Sequence, residues 1–328
     1  QQYGAEFNKN ETLFVMYIKQ FLDAVSKVQD RTGIELGVIT CSILWPSLLD
    51  GTPAILMEAY AQKPFVDDPI MGEKVSVPWM FYHWSNFVES MERRCGELGL
   101  GTYIRLPEVK AKAIPAARDI VFIYWIAMKA HLRQFPETTT WRSLKKGPLL
   151  CVTLGEYMER QYALLGEREE LDLTLLEPNS SARFARFQNK VYRNQRFEGF
   201  VLSDTVFERC TFQNVEFEAC TMCDARFIDC TFEHCTFSNL SLMGTEIYAT
   251  RLTDAIFERV WSETGQSGER KDFLSCGHTS ITNCLLERVS FRNTELRQAR
   301  VDNCQFIKLH VLESDLCASL QKHAVEEV

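Results

Sequence analysis

The chain has 328 residues, 46% hydrophobic and 24% charged, an ordinary globular composition at a length that suggests two domains. Its 36 Lys and Arg stand against 44 Asp and Glu, a formal net charge of −8 with a sequence pI near 5.4. That balance argues against nucleic-acid binding through a basic surface, and no apolar run reaches the ~18–20 residues of a membrane-spanning helix.

Residues 1–165 read as an all-α domain of five or six helices. "NETLFVMYIKQFLDAVSKV" places Phe14, Ile18, Phe21, Val25 and Val28 on one stripe at three-to-four spacing, with Asn10 as N-cap and Gly33 as stop. A second apolar stretch over 36–62 is interrupted by Pro46 and Pro53. A third starts after Ser76, with Pro78 in its first turn, and runs to Arg94. A fourth spans about Pro115 to Phe135 and a fifth about Leu149 to Leu165. Trp79, Phe81, Tyr82, Trp84 and Phe87 exceed what one helix stripe buries. Trp79 and Trp84 are therefore candidate interaction residues.

Residues 166–180 are charged and then turn-rich, and read as a linker. Beyond them the helical period disappears. A large apolar residue recurs every five positions from Phe197 to Phe257, and again from Ile281 to Leu316. Two positions before most of these sits a small residue, such as Cys210, Ala225 or Thr245. No helix or strand has a period of five, so this is an internal repeat, and stacking of its units is what buries the apolar residues. Phe187 and Tyr192 share the phase.

In "CTF", "ARF" and "TEI" the chain resembles the pentapeptide-repeat family over about 187–318. The resemblance implies a right-handed quadrilateral β-helix in which four repeats make a turn and positions twenty apart stack. The expected fold class is α+β multidomain: an all-α domain (1–165), a linker (166–180), a pentapeptide-repeat β-helix (181–320) and a C-terminal tail (321–328). Five to six coils at ~4.8 Å per strand spacing make a rod roughly 25–30 Å long. The phase slips by one between Phe257 and Ile281, so residues 259–280 are expected to leave the rod as a loop. Trp261, Phe273 and His278 in it are candidate contact residues.

The twelve cysteines first suggest disulfide or metal chemistry. The repeat phase instead makes Cys210, Cys220, Cys230 and Cys235 small inward hydrophobes. Cys210 and Cys230, and likewise Cys284 and Cys304, should stack, and a disulfide across coils is geometrically conceivable. In "CTMC" the phase turns Cys220 inward and Cys223 outward. Neither His83 nor "CGH" (276–278) has a supporting constellation, and "GLG" (99–101) lacks the rest of a nucleotide fingerprint. No catalytic, cofactor-binding or metal-binding residue is assigned, and no cofactor is expected.

The expected function is a non-catalytic protein–protein interaction or structural role, as a scaffold or accessory subunit of a larger, conceivably organellar, assembly. The expected partners are proteins, up to a multisubunit complex. Direct nucleic-acid binding is not expected, and association with a membrane complex is left open. Free thiols fit a reducing compartment, cytoplasm or mitochondrial matrix. A chain opening on Gln1 rather than Met fits processing or trimming. The family supplies a second reading, a DNA mimic that binds a type II topoisomerase. Residues 181–328 weaken it with 17 Lys and Arg against 21 Asp and Glu. An effector or enzymatic activity in the helical half is a third.

Overall fold

A computed structural model describes residues 2–101, 103–262 and 278–326, with side chains from Thr12 to Val325. The chain divides into two compact units, 1–167 and 168–328.

The first unit opens with α1 (Gln2–Thr32). Phe14, Ile18, Phe21 and Val25 are buried as the stripe requires, with Leu22 beside them. The helix begins before Asn10, so Asn10 lies inside it rather than capping it. Gly33 does stop it: at φ +74 its N–H reaches Gln29 O at 2.8 Å, the left-handed close that glycine reaches without strain.

The expected all-α character of residues 1–165 is corrected by a five-stranded sheet. After α1 come β1 (Leu36–Ile43), the short α2 (Trp45–Leu49), β2 (Ala54–Tyr60) and β3 (Met71–Ser76). α3 (Trp84–Glu97) and α4 (Leu106–His131) follow, then a 3-10 turn (Leu132–Glu137), α5 (Thr139–Ser143), β4 (Lys146–Glu156) and β5 (Gln161–Arg168). The strand order is β3-β2-β1-β4-β5, with β1 antiparallel to β2 and parallel to β4.

The apolar stretch at 36–62 is therefore two strands around a helical turn. Val38, Ile39, Thr40 and Ile43 are β-branched and fit a pleated surface better than a helix. Ile39, Cys41 and Ile43 alternate onto one face with Ile55, Met57 and Ala59 of β2 and Leu150, Val152 and Leu154 of β4, all buried. The stretch at 149–165 is likewise two neighbouring strands joined by the turn at 157–160. Of the other expected helices, α3 starts at Trp84 rather than Pro78. α4 starts at Leu106, where Glu108 accepts the Arg105 N–H at 2.7 Å, and carries Pro115 inside it.

The second unit is the expected four-sided stack, and its register is read directly from strand pairing. Phe187, Phe207, Phe227 and Ile247 pair on the first face. Tyr192, Phe212, Phe232 and Leu252 pair on the second. Phe197, Phe217, Phe237 and Phe257 pair on the third. On the fourth, single bridges join Val201, Thr221 and Ser241 beside Leu202, Met222 and Leu242. Every pairing before the insertion is parallel at an offset of twenty.

Rings stack along a column and meet edge-on between columns. Phe212 and Phe232 lie 4.6 Å apart at 4°, whereas Phe227 and Phe232 lie 5.4 Å apart at 71°. Both arrangements satisfy the ring quadrupole. Corners are made two residues after the apolar centre by a left-handed residue, including Asn189, Asn194, Asn214, Asp229 and Asn239 at φ of 51–54°. Asn and Asp tolerate that conformation, while Arg209, Ala219 and His234 adopt it at greater cost.

The junction expected as a linker is partly core: Leu173 is buried in the same apolar cluster as the Phe columns. The expected tail also continues the fold, since residues 324–326 pair in parallel with Leu309–Val311.

Candidate interaction surfaces

The structure sorts the sequence candidates. Trp79 is half-buried between Phe14 and Tyr124, at ring distances of 6.4 and 5.6 Å, and so ties α1 to α4. Trp84 is buried at the start of α3 beside Phe81. Both are core residues of the first unit. Their neighbours Tyr82, 69% exposed, and Phe87, 41% exposed, are the ones that face solvent. In the second unit Trp261 is half-buried on the fourth face, where it pairs with Glu295, and His278 is exposed just before the strand Ser280–Thr282. Phe273 lies outside the described residues, as does Cys276 of the "CGH" triplet.

Around the insertion Ile247 pairs with Ile281, Leu252 with Leu286 and Phe257 with Phe291, all at an offset of thirty-four. Fourteen residues are therefore added to one coil, which is one short of three repeats and accounts for the slip in phase. The stacking itself resumes without loss, with Phe257 and Phe291 rings 5.2 Å apart.

A surface the sequence reading missed lies at the α3–α4 connection. Leu98, Leu100, Tyr103 and Leu106 are all exposed within nine residues, with Tyr103 at 81%. Arg94 pairs with Glu97 beside them at 2.8 Å. The third apolar stretch read from the sequence ends at Arg94, and 99–101 were weighed only as a nucleotide fingerprint; the large apolar residues around Gly99 and Gly101 were the available signal.

The faces of the rod carry paired charge. Arg226 meets Glu246 at 2.8 Å from the adjacent coil, Arg183 meets Asp204 at 2.8 Å, and Arg196 approaches Glu216 at 3.7 Å. Arg288 meets Asp254 at 2.6 Å, and the Arg288 hydrogen bond holds the Asp254 carboxyl below its ordinary value. Amides extend the pattern: Gln213 donates to Glu233 at 2.8 Å, and Asn214 to Asn194 at 3.1 Å. Several carboxylates thus meet a cation or amide of a neighbouring coil, whereas Glu198 and Glu218 stack in direct register.

The cysteines occupy inward positions as small hydrophobes. Cys220 Sγ donates to Phe197 O at 3.2 Å and Cys235 Sγ to Phe212 O at 3.4 Å, and burial pushes the Cys235 thiol up to about 11. Cys223 departs from the outward placement read from phase: it is buried, with Sγ 3.7 Å from Ser241 Oγ. Four cysteines fall in one column, in the order Cys210, Cys230, Thr250, Cys284, Cys304. Thr250 fills its place by donating to Phe227 O at 3.3 Å, as Cys230 does to Phe207 O at 3.4 Å. No group of three His, Cys, Asp or Glu able to hold a metal occurs among the described residues. None of the described helices is long and apolar enough to cross a membrane.

Residues 222–259 match the family described as pentapeptide repeats, in eight copies. No curated protein matches the chain. Among solved structures it is similar to QnrB1, a plasmid-mediated fluoroquinolone resistance protein. The identity there is 22%, over 42% of this chain and 72% of that one, with a TM-score of 0.28. It is also similar to HetL, a pentapeptide-repeat protein involved in heterocyst differentiation regulation in the cyanobacterium Nostoc sp. strain PCC 7120. That identity is 8%, over 41% of this chain and 89% of that one, with a TM-score of 0.13.

Proposed function

We propose that this pentapeptide-repeat protein acts by binding other proteins, as a scaffold or accessory subunit of a larger assembly in the cytoplasm or an organelle matrix. The observation that carries this reading is the pairing of carboxylates with arginines of neighbouring coils. A flat β-helical face with carboxylates set beside arginines suits a partner of mixed polarity. A mimic of duplex DNA needs an unbroken line of negative charge, because phosphate charge dominates what nucleic-acid-binding surfaces recognise. Glu246, Glu216 and Asp254 are each offset by an arginine of a neighbouring coil.

The α3–α4 connection supports the same reading from the first unit. Tyr103 with Leu98, Leu100 and Leu106, bordered by charged side chains, has the composition of an interface centre with a polar rim. Native purification of the endogenous full chain should recover it in a particle larger than itself. Tyr103→Asp should release it from that particle while its circular dichroism and melting stay unchanged, since the side chain buries little. A free monomer from the native source overturns the proposal. Protection of a type II topoisomerase, or altered supercoiling on adding the purified chain, would replace it with the DNA-mimic reading.

A further inference from the structure

We propose that Cys304 and Cys284 form an oxidisable dithiol that closes to a disulfide between the last two full coils of the rod. They occupy one inward column, on strands that pair in parallel at an offset of twenty. Such strands lie ~4.8 Å apart, inside the ~4.4–6.8 Å Cα window of a disulfide, and closure draws the two Cβ atoms in to about 4.5 Å or less. The Cys284 N–H points at Cys304 Sγ from 3.4 Å.

Cys304 is half-buried, whereas Cys210, Cys230 and Cys284 in the same column are buried. Contact with Cys284, chiefly its thiol and then its N–H, lowers Cys304 against the opposing effect of burial, as contact with Cys230 lowers Cys210. The same contact, together with burial, pushes Cys284 up. Cys304 is thus the more accessible member and Cys284 the buried one, the division between an attacking and a resolving thiol.

With a hydroperoxide as oxidant the step balances. The Cys304 thiolate attacks the distal peroxide oxygen, the O–O bond breaks, and the departing alkoxide or hydroxide takes a proton from solvent. Cys304 becomes a sulfenic acid. The Cys284 sulfur then attacks the Cys304 sulfur, losing its proton, and the sulfenic oxygen leaves as water. Two thiols and one peroxide give one disulfide, one alcohol or water, and one further water. The bond fastens the end of the stack, where Val301, Phe306 and Val311 are only partly buried. In a reducing compartment thiol exchange reverses it.

The test treats the full chain with hydrogen peroxide, blocks free thiols, and digests it without reduction for mass spectrometry. The expected product is a peptide pair linked through Cys284 and Cys304. Cys284→Ser should abolish the link and leave Cys304 captured by dimedone as the sulfenic acid; Cys304→Ser should abolish both link and capture. Thr250 shows that a hydroxyl fits this column, and an unchanged melting curve for each serine variant confirms folding. Cys210 and Cys230 share the register but are both buried. The proposal is overturned if that pair links as fast as Cys284 and Cys304. It is also overturned if Cys304 stays free at a dose that oxidises the half-buried Cys95, or if folded Cys284→Ser yields no captured sulfenic acid.

Discussion

The two units bury comparable kinds of side chain by different routes. In the rod the Phe residues of the columns before the insertion find neighbours five and twenty residues away, and the same contact recurs around and along the stack. In the first unit Cys41 of β1 lies in register between Met57 of β2 and Leu154 of β4, and Phe14 of α1 packs on Trp79, with no such repetition. A repeated core is quasi-one-dimensional and depends on its nearest coils. A unique core depends on long-range closure, with β1 held between β2 and β4, more than one hundred residues apart in register at Val38 and Cys151. The comparison predicts that damage stays local in the rod and spreads in the first unit.

The sharpest way to break that comparison is a paired truncation. Phe232→Ala removes a ring stacked at 4.6 Å and should cost about 3–5 kcal/mol; Leu154→Ala should cost about 2–5 kcal/mol. In denaturant unfolding with hydrogen-exchange readout, Phe232→Ala should loosen the coils on either side and leave β1 and β4 protected. Leu154→Ala should lower protection throughout the five-stranded sheet and spare the Phe columns. Loss of protection in both units from either change would show that they unfold as one.

A corner is the next largest effect. Asn214 sits at φ +52 and donates to Asn194. Asn214→Val places a β-branched residue in the left-handed region and should cost about 1–2 kcal/mol in the rod transition. Asn214→Gly should recover most of it, because the backbone rather than the amide sets the cost.

Charge sharpens the comparison further. The folded Asp254 carboxyl is depressed chiefly by its hydrogen bond from Arg288, from an ordinary value of 3.8. A depressed folded value stabilises above the unfolded value, and the contribution is lost as pH falls through the folded one. Arg288→Ala should move the Asp254 titration, followed by carboxyl NMR, back toward 3.8 and remove that part of the acid dependence. The smallest effect belongs to Arg226 and Glu246, roughly a third exposed at 2.8 Å. A double-mutant cycle should give about 0.2–1 kcal/mol, reduced by salt.

Much of the rod could be read from the residues because its contacts are periodic. Phe207 and Phe227 announce their own stacking, and a slip of one in phase announces the insertion. The cysteines were sorted correctly into inward positions, except Cys223. Its sulfur lies against Ser241 of the neighbouring coil, a contact that phase does not encode. The first unit was misread where β-branched residues at Val38, Ile39 and Thr40 were given a helical period. Trp79 and Trp84 were taken for surface because an aromatic cluster has no intrinsic direction. Tyr103 and Leu98 were passed over because exposure is a property of the whole unit.

The sequence alone determined that an apolar residue every five positions must stack, because one five-residue unit has no other way to leave water; the offset of twenty came from the resemblance to the pentapeptide-repeat family. Only the tertiary structure decided that Leu36–Ile43 and Lys146–Glu156 pair across the first unit, which carboxylates meet arginines of neighbouring coils, and that Cys304 stands half-open beside a buried Cys284. Those outcomes depend on which distant segments meet, and a local period carries no information about that.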